Sequence, residues 1–223
     1  MFPDATLFTL IHEKGRLSKT IEQMQIQTSF IQKLPLGLSR YRHYLPIMPK
    51  AIECFDFTSF DLVISTSHCV AKGAIPGPET FHISYVHAPM RYVWDAFDTY
   101  FKRSQTRPWI RWVAMFVRSY LRHWDRKSSI RVHQFLCNSV NIQKKIEQYY
   151  GRESQVIHPP VDLNRFTPGE VKKDFYLMIG AFAPNKRVDL AIRVFNRLKL
   201  PLKIVGRGQD EAYCRSIAGK TIS

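Results

Sequence analysis

Short runs of β-branched and aromatic residues recur along this chain, each followed by a polar or Gly/Pro break and then by a helical pattern. Residues 6–11 (TLFTLI), 61–65 (DLVIS), 82–86 (HISYV) and 135–137 (FLC) read as buried strands. Residues 43–55, 92–101, 109–132 and 140–150 read as helices. A strand that follows a helix re-enters the sheet from the same end as the strand before it, so this alternation specifies parallel pairing with helices on both faces. The expected class is α/β and Rossmann-like, and no internal repeat or low-complexity tract breaks the pattern.

The pattern stops and restarts once. Residues 158–173 (HPPVDLNRFTPGEVKK) are rich in proline and turn formers, and the Pro159–Pro160 pair ends any regular element. This places an N-terminal domain at 1–167 and the start of a second at 168–223. The second begins as a βαβ unit: a strand at 175–179 (FYLMI), a helix at 188–198 and a strand at 202–205 (LKIV). Leu190, Ala191, Val194 and Leu198 form the expected apolar stripe of that helix. A crossover of this kind needs further strands beside it, and residues 220–223 read as the opening of one.

With 45% hydrophobic residues over 223 positions, a packed core is expected and disorder is not. The four cysteines, Cys54, Cys69, Cys137 and Cys214, are scattered, with neither C-x-x-C pairs nor zinc spacing, which suits a reducing compartment. The opening residues lack the basic and apolar regions of a signal peptide, and no apolar run reaches the length of a membrane span. A cytoplasmic protein is expected. Its net charge of +15 favours anionic partners. The excess is concentrated: residues 97–133 hold nine Lys and Arg against Asp98 and Asp125 alone. Within that window Trp109, Trp112, Val113, Phe116, Tyr120 and Trp124 mark one helical face, read as the core face. Arg111, Arg118, Arg122 and Arg126 mark another, read as a face for an anionic membrane surface.

Ligands of open α/β sheets bind beyond the carboxyl ends of the strands. Four segments fall there. His68 follows the 61–65 strand, and His87 and Arg91 follow the 82–86 strand. Lys186 and Arg187 open the 188–198 helix, and Gly206-Arg207-Gly208 follows the 202–205 strand. Lys186 at a helix N-terminus suits a departing diphosphate, which needs concentrated positive charge; alone, it reads equally as a solvated lysine. His87 reads either as a donor to a sugar hydroxyl or phosphate oxygen, or as a histidine satisfied by nearby backbone. Gly206 and Gly208 lack the rest of a dinucleotide fingerprint and read as a tight turn with positive φ. No Asp-x-Asp, phosphate-binding Gly-x-x-x-x-Gly-Lys loop or Gly-x-Ser-x-Gly elbow occurs, so neither a metal site nor a cofactor is expected.

Taken together, the stretches FDLVISTSHCVAKG, HISYVHAPMRYVWD, YLRHWDR, FLCNSVNIQKKIEQYYGRESQVIHPPVDLNRF and FYLMIGAFAPNKRVDLAIRVFNRLKLPLKIVGRG resemble family 4 retaining glycosyltransferases. The likeness is strongest to the mannosyltransferase-like members of bacterial surface-polysaccharide synthesis, and MFPDATLFTLIHEKGRLS extends it. It implies a GT-B fold of two Rossmann-like domains, with acceptor bound by the first and nucleotide sugar by the second. His87 would then be the family histidine near the donor sugar. Lys186 would be the lysine on the donor diphosphate, with Arg187, Gly206 and Gly208 around it and His68 and Arg91 on the acceptor side. Ala181 stands where the family often carries an arginine.

The resemblance further implies metal-independent transfer of a hexose, with mannose from GDP-mannose as the first expectation, to a glycan or lipid-linked acceptor with retained configuration. Family members also carry a strand and Gly-rich loop before the MFPDA segment and a glutamate pair after Gly219. The chain is therefore expected to be truncated at both ends and inactive alone. Two further readings stay open. One is a non-catalytic basic module peripheral to the inner face of the plasma membrane or, with no motif behind it, bound to nucleic acid. The other is an inactive relic of a shortened gene.

Overall fold

The computed structural model describes residues 2, 4–95, 97, 108–165 and 173–223. It divides into two compact units, Met1–Pro160 and Val161–Ser223. The 167/168 boundary expected from sequence lies outside the described residues, as do Asp98, Lys102, Arg103 and Arg107 and most of the second half of the expected 92–101 helix.

The first unit contains two parallel sheets. β1 (Thr6–Thr9) pairs with β2 (Gln25–Thr28) across the short helix α1 (Lys19–Glu22). A 3-10 turn at Tyr41–Ile47 leads into α2 (Met48–Glu53). The second sheet follows, in the order β3 (Leu62–Ser67), β4 (Phe81–Val86), β5 (Gln134–Cys137) and β6 (Gln155–Val156), all parallel. Between β4 and β5 lie α3 (Arg91–Trp94) and α4 (Pro108–Ser128); α5 (Val140–Tyr150) joins β5 to β6. The second unit pairs β7 (Tyr176–Ile179) with β8 (Leu202–Val205) around α6 (Val188–Leu198), and α7 (Glu211–Ile217) follows. Ile222 makes an isolated parallel bridge to Leu202. The observed class is α/β with Rossmann-like parallel sheets.

Local chemistry explains the sharpest boundaries. α5 starts at Ser139, whose hydroxyl accepts from the Ile142 amide, and ends at Gly151 with φ of 64°. A polar N-cap satisfies one orphan amide, and only glycine enters the left-handed region without strain. Between these caps Ile142, Ile146 and Tyr150, four residues apart, face Val132, Phe135 and Cys137. In the other core of this unit, Phe8 of β1 packs edge-on against Phe55, Phe57 and Phe60, which ties the β1–β2 pair to the loop entering β3.

One apolar stripe differs from expectation. In α6 the buried residues are Val188 and Ile192, while Leu190, Val194 and Leu198 are exposed. The helix rests on β7 and β8 through its other face, with Phe195 edge-on to Tyr176.

Candidate functional site

Parallel pairing brings the carboxyl ends of β3, β4, β5 and β6 to one rim, and His68, His87 and Arg91 stand there. His68 follows Ser67 of β3. His87 follows Val86 of β4, and its amide donates to the Ser67 carbonyl at 2.8 Å, continuing the ladder past the strand end. His68, His87 and Arg91 are all solvent-facing. They are also close: desolvation first, and then the charges of His87 and Arg91, hold the His68 imidazole below its ordinary pKa. Three potential donors therefore share one exposed rim, a constellation suited to hydroxyl and phosphate oxygens.

Two rim residues escaped the sequence reading. Asn138 follows β5, and its side-chain amide donates to the His87 carbonyl at 3.0 Å. His158 follows β6, with Nδ1 3.1 Å from the Asn138 carbonyl. A carbonyl can only accept, so Nδ1 carries a proton. The His87 ring is set edge-on to Tyr85 at 5.1 Å, and the Tyr85 hydroxyl donates to the Ile157 carbonyl at 2.8 Å. A two-residue strand has no readable periodicity, which is why β6, and with it the rim position of His158, was not read from spacing.

Behind the rim the sheet carries a polar ladder. The β3–β4 register sets Ser65 opposite Ser84 and Val63 opposite His82. His82 is fully buried. Its Nδ1 lies 3.2 Å from the Arg131 carbonyl and must donate to it, so Nε2 accepts from the Ser65 hydroxyl at 2.9 Å. The Ser84 hydroxyl lies 2.9 Å from that of Ser65. Burial lowers the His82 pKa to about 4, so the ring is neutral at pH 7.

In the second unit, Lys186 sits after β7 in a 3-10 turn, Pro184–Lys186, and is exposed. Arg187 adopts φ of 50° at the N-cap of α6, and its guanidinium binds Asp189 at 3.1 Å. That carboxylate, lowered first by the Arg187 hydrogen bond, already occupies the second cation expected beside Lys186. Gly206 and Gly208 need correction. Neither is among the glycines with positive φ. They are small because backbone passes close by: an added Cβ would lie 1.8 Å from the Gly180 carbonyl oxygen at Gly206, and 2.3 Å from that of Phe182 at Gly208. The 206–208 loop runs beside 180–182, with the Phe182 amide donating to the Arg207 carbonyl at 3.0 Å.

The basic face of α4 also differs from expectation. Arg118 and Arg122 turn inward: the Nε of each donates to the Val93 carbonyl, at 3.0 and 2.6 Å, and Arg122 also reaches the Trp94 carbonyl at 3.2 Å. These are the last carbonyls of α3, which have no partner within that helix. The guanidiniums stack over Phe97 and Trp94, and Arg111 lies over the Phe97 ring. Arg126 is exposed. In the first three turns the exposed face is instead the aromatic one, Trp109, Trp112, Val113, Phe116 and Tyr120. Trp124, in the last turns, is buried as expected. Among the described residues no group of His, Cys, Asp and Glu has the arrangement of a metal site.

The fold and rim define an α/β chain of Rossmann-like parallel sheets with cationic donors at the strand carboxyl ends. No family model and no curated protein sequence matches it. A solved structure of a TarM variant from S. aureus, in complex with fondaparinux, alpha-GlcNAc-glycerol and UDP, is similar over 70% of this chain, at 13% identity and a TM-score of 0.45. The chain spans 30% of the length of that protein.

Proposed function

We propose that these residues belong to a metal-independent retaining glycosyltransferase that moves a hexose, mannose in the first instance, from a nucleotide sugar to a hydroxyl of a glycan or lipid-linked acceptor. The observation that carries this reading is the gathering of His68, His87 and Arg91 at the carboxyl rim of β3 and β4. The second unit sets Lys186 at the corresponding end of β7. Such positions suit a ligand that is part polyol and part phosphate.

In the proposed reaction the bond from the anomeric carbon to the diphosphate oxygen breaks, and a bond from that carbon to the acceptor oxygen forms on the same face. The acceptor proton passes to the departing phosphate. Lys186 opposes the charge that grows on the leaving group. His87, fixed by Asn138 and Tyr85, holds a sugar hydroxyl. Arg187 contributes less than a free cation, because Asp189 already neutralises it.

Calorimetric titration with GDP-mannose and UDP-sugars tests the reading. Lys186→Ala should weaken nucleotide-sugar binding by roughly 1.5–3 kcal/mol, the range for a charge-assisted hydrogen bond. Equal affinity in the variant would return Lys186 to the solvated surface. Absence of nucleotide-sugar binding in the unmodified chain would remove the proposal.

A further inference from the structure

Among the described residues, helix α4 exposes an aromatic face. Trp109, Trp112, Val113, Phe116 and Tyr120 follow one another at three- and four-residue spacings or as neighbours, so they form a single stripe. Trp109 is 63% exposed, Trp112 73% and Phe116 78%. Soluble surfaces carry single apolar residues routinely, but a contiguous stripe of this kind marks an interaction site.

We infer that α4 is a membrane-surface anchor whose aromatic stripe sinks into the headgroup–acyl boundary of an anionic bilayer. Length excludes a span: from Trp109 to Tyr120 the stripe runs about 17 Å at 1.5 Å per residue, about half of a hydrocarbon core. No helix of the described residues is long and apolar enough to cross a membrane. The helix therefore lies in the plane of the interface, where the rings of Trp and Tyr partition best.

Charge selects the occupant. The only acidic residue of α4 is Asp125, and it is fully buried against Lys72 at 3.0 Å. The helix thus offers water no carboxylate, while Arg126 and Lys127 are exposed at its last turn. An anionic lipid surface meets both demands, apolar depth and negative charge. A second copy of the chain would bring the same cations together and repel. The inference does not depend on sugar transfer, so either can fail alone.

The test uses the whole chain with phosphatidylcholine vesicles that either contain or lack phosphatidylglycerol. Flotation should capture the chain on the anionic vesicles, and brominated acyl chains should quench its tryptophan fluorescence. The Trp112→Ser/Phe116→Ser variant should bind at least about tenfold more weakly with an unchanged thermal midpoint, because both side chains are exposed. Trp109→Ser should move binding the same way. Leu198→Ser, an exposed apolar residue of α6, should leave it unchanged. Full-strength binding by the double variant, absence of capture by anionic vesicles, or a dimer in lipid-free solution that the double variant turns into monomer would each overturn the anchor.

Discussion

Lys72 and Asp125 are kept wholly from water, with 1% and 0% exposure. Burial of two charges is costly unless each is surrounded by partners. Lys72 Nζ meets Asp125 Oδ1 at 3.0 Å and donates to Ser128 Oγ at 2.8 Å, over the rings of Trp124 and Tyr150. Asp125 Oδ2 accepts from Trp94 Nε1 at 2.7 Å and from the Tyr150 hydroxyl at 2.8 Å. The pair thereby joins the Ala71–Gly73 turn, α3, α4 and α5. Two of the stretches that carry the family resemblance, HCVAKG and YLRHWDR, meet at this point. Lys72→Met strands a buried carboxylate and should cost about 3–5 kcal/mol in urea unfolding followed by tryptophan fluorescence. Adding Asp125→Asn should recover part of the loss. A single-variant loss below about 1 kcal/mol would mean that water reaches the site.

His82 gives the residue scale its pH dependence. Its folded pKa of about 4 lies below the ordinary value of 6.5. The unfolded chain therefore binds a proton that the folded chain refuses between those values, and stability falls as pH drops from 6.5 to 4. The loss should reach about 3 kcal/mol, on the scale of 1.36 kcal/mol per pKa unit. Carboxylates with lowered pKa, such as Glu53 and Asp95, lose their contribution further down, as pH falls below their ordinary range. Denaturation midpoints for His82→Gln should fall less steeply across the upper window, leaving the share of His68, whose pKa is also lowered, and an unchanged slope would assign the effect elsewhere. In the sequence His82 and His87 look alike, two histidines framing one strand. Only the parity of the strand separates them, sending His82 into the sheet interior and leaving His87 on the rim.

At the scale of elements, period was readable and partners were not. The strands within 61–65, 82–86, 135–137 and 202–205 and the helices at 140–150 and 188–198 all appear, because each has a strong pattern and most have clear end signals. β2 (QIQT) was missed because three of its four side chains are polar and the strand lies at an open edge. For α4 and α6 periodicity located the stripe and then misjudged what it faces. Hydrophobic spacing reports that a face is apolar, but whether protein or another apolar phase covers it depends on tertiary neighbours. Gly206 shows the same limit: the residue type was a true signal, but the cause is a neighbouring backbone and not a turn. Gly206→Ala should force that backbone apart and weaken the β7–β8 ladder. Hydrogen exchange should quicken at the Gly180 amide, which donates to the Val205 carbonyl at 3.0 Å, while β3–β5 amides stay unchanged. Unaltered exchange at Gly180 would show that the loop relaxes freely.

At the scale of the molecule, every strand pair among the described residues is parallel. No two of these neighbours can be joined by a tight hairpin, so each pairing must wait for an intervening crossover to close. Loop closure is thus charged against chain entropy before any ladder bond returns it, and such topologies acquire their shape slowly. The β5–α5–β6 passage is the best equipped to begin, with a short crossover whose helix is capped at both ends. β4 then has a template on one side, and β3 on the next. A sheet nucleated there would grow against the order of synthesis, β4 adding after β5 and β3 after β4, so the strands that leave the ribosome first would be placed last.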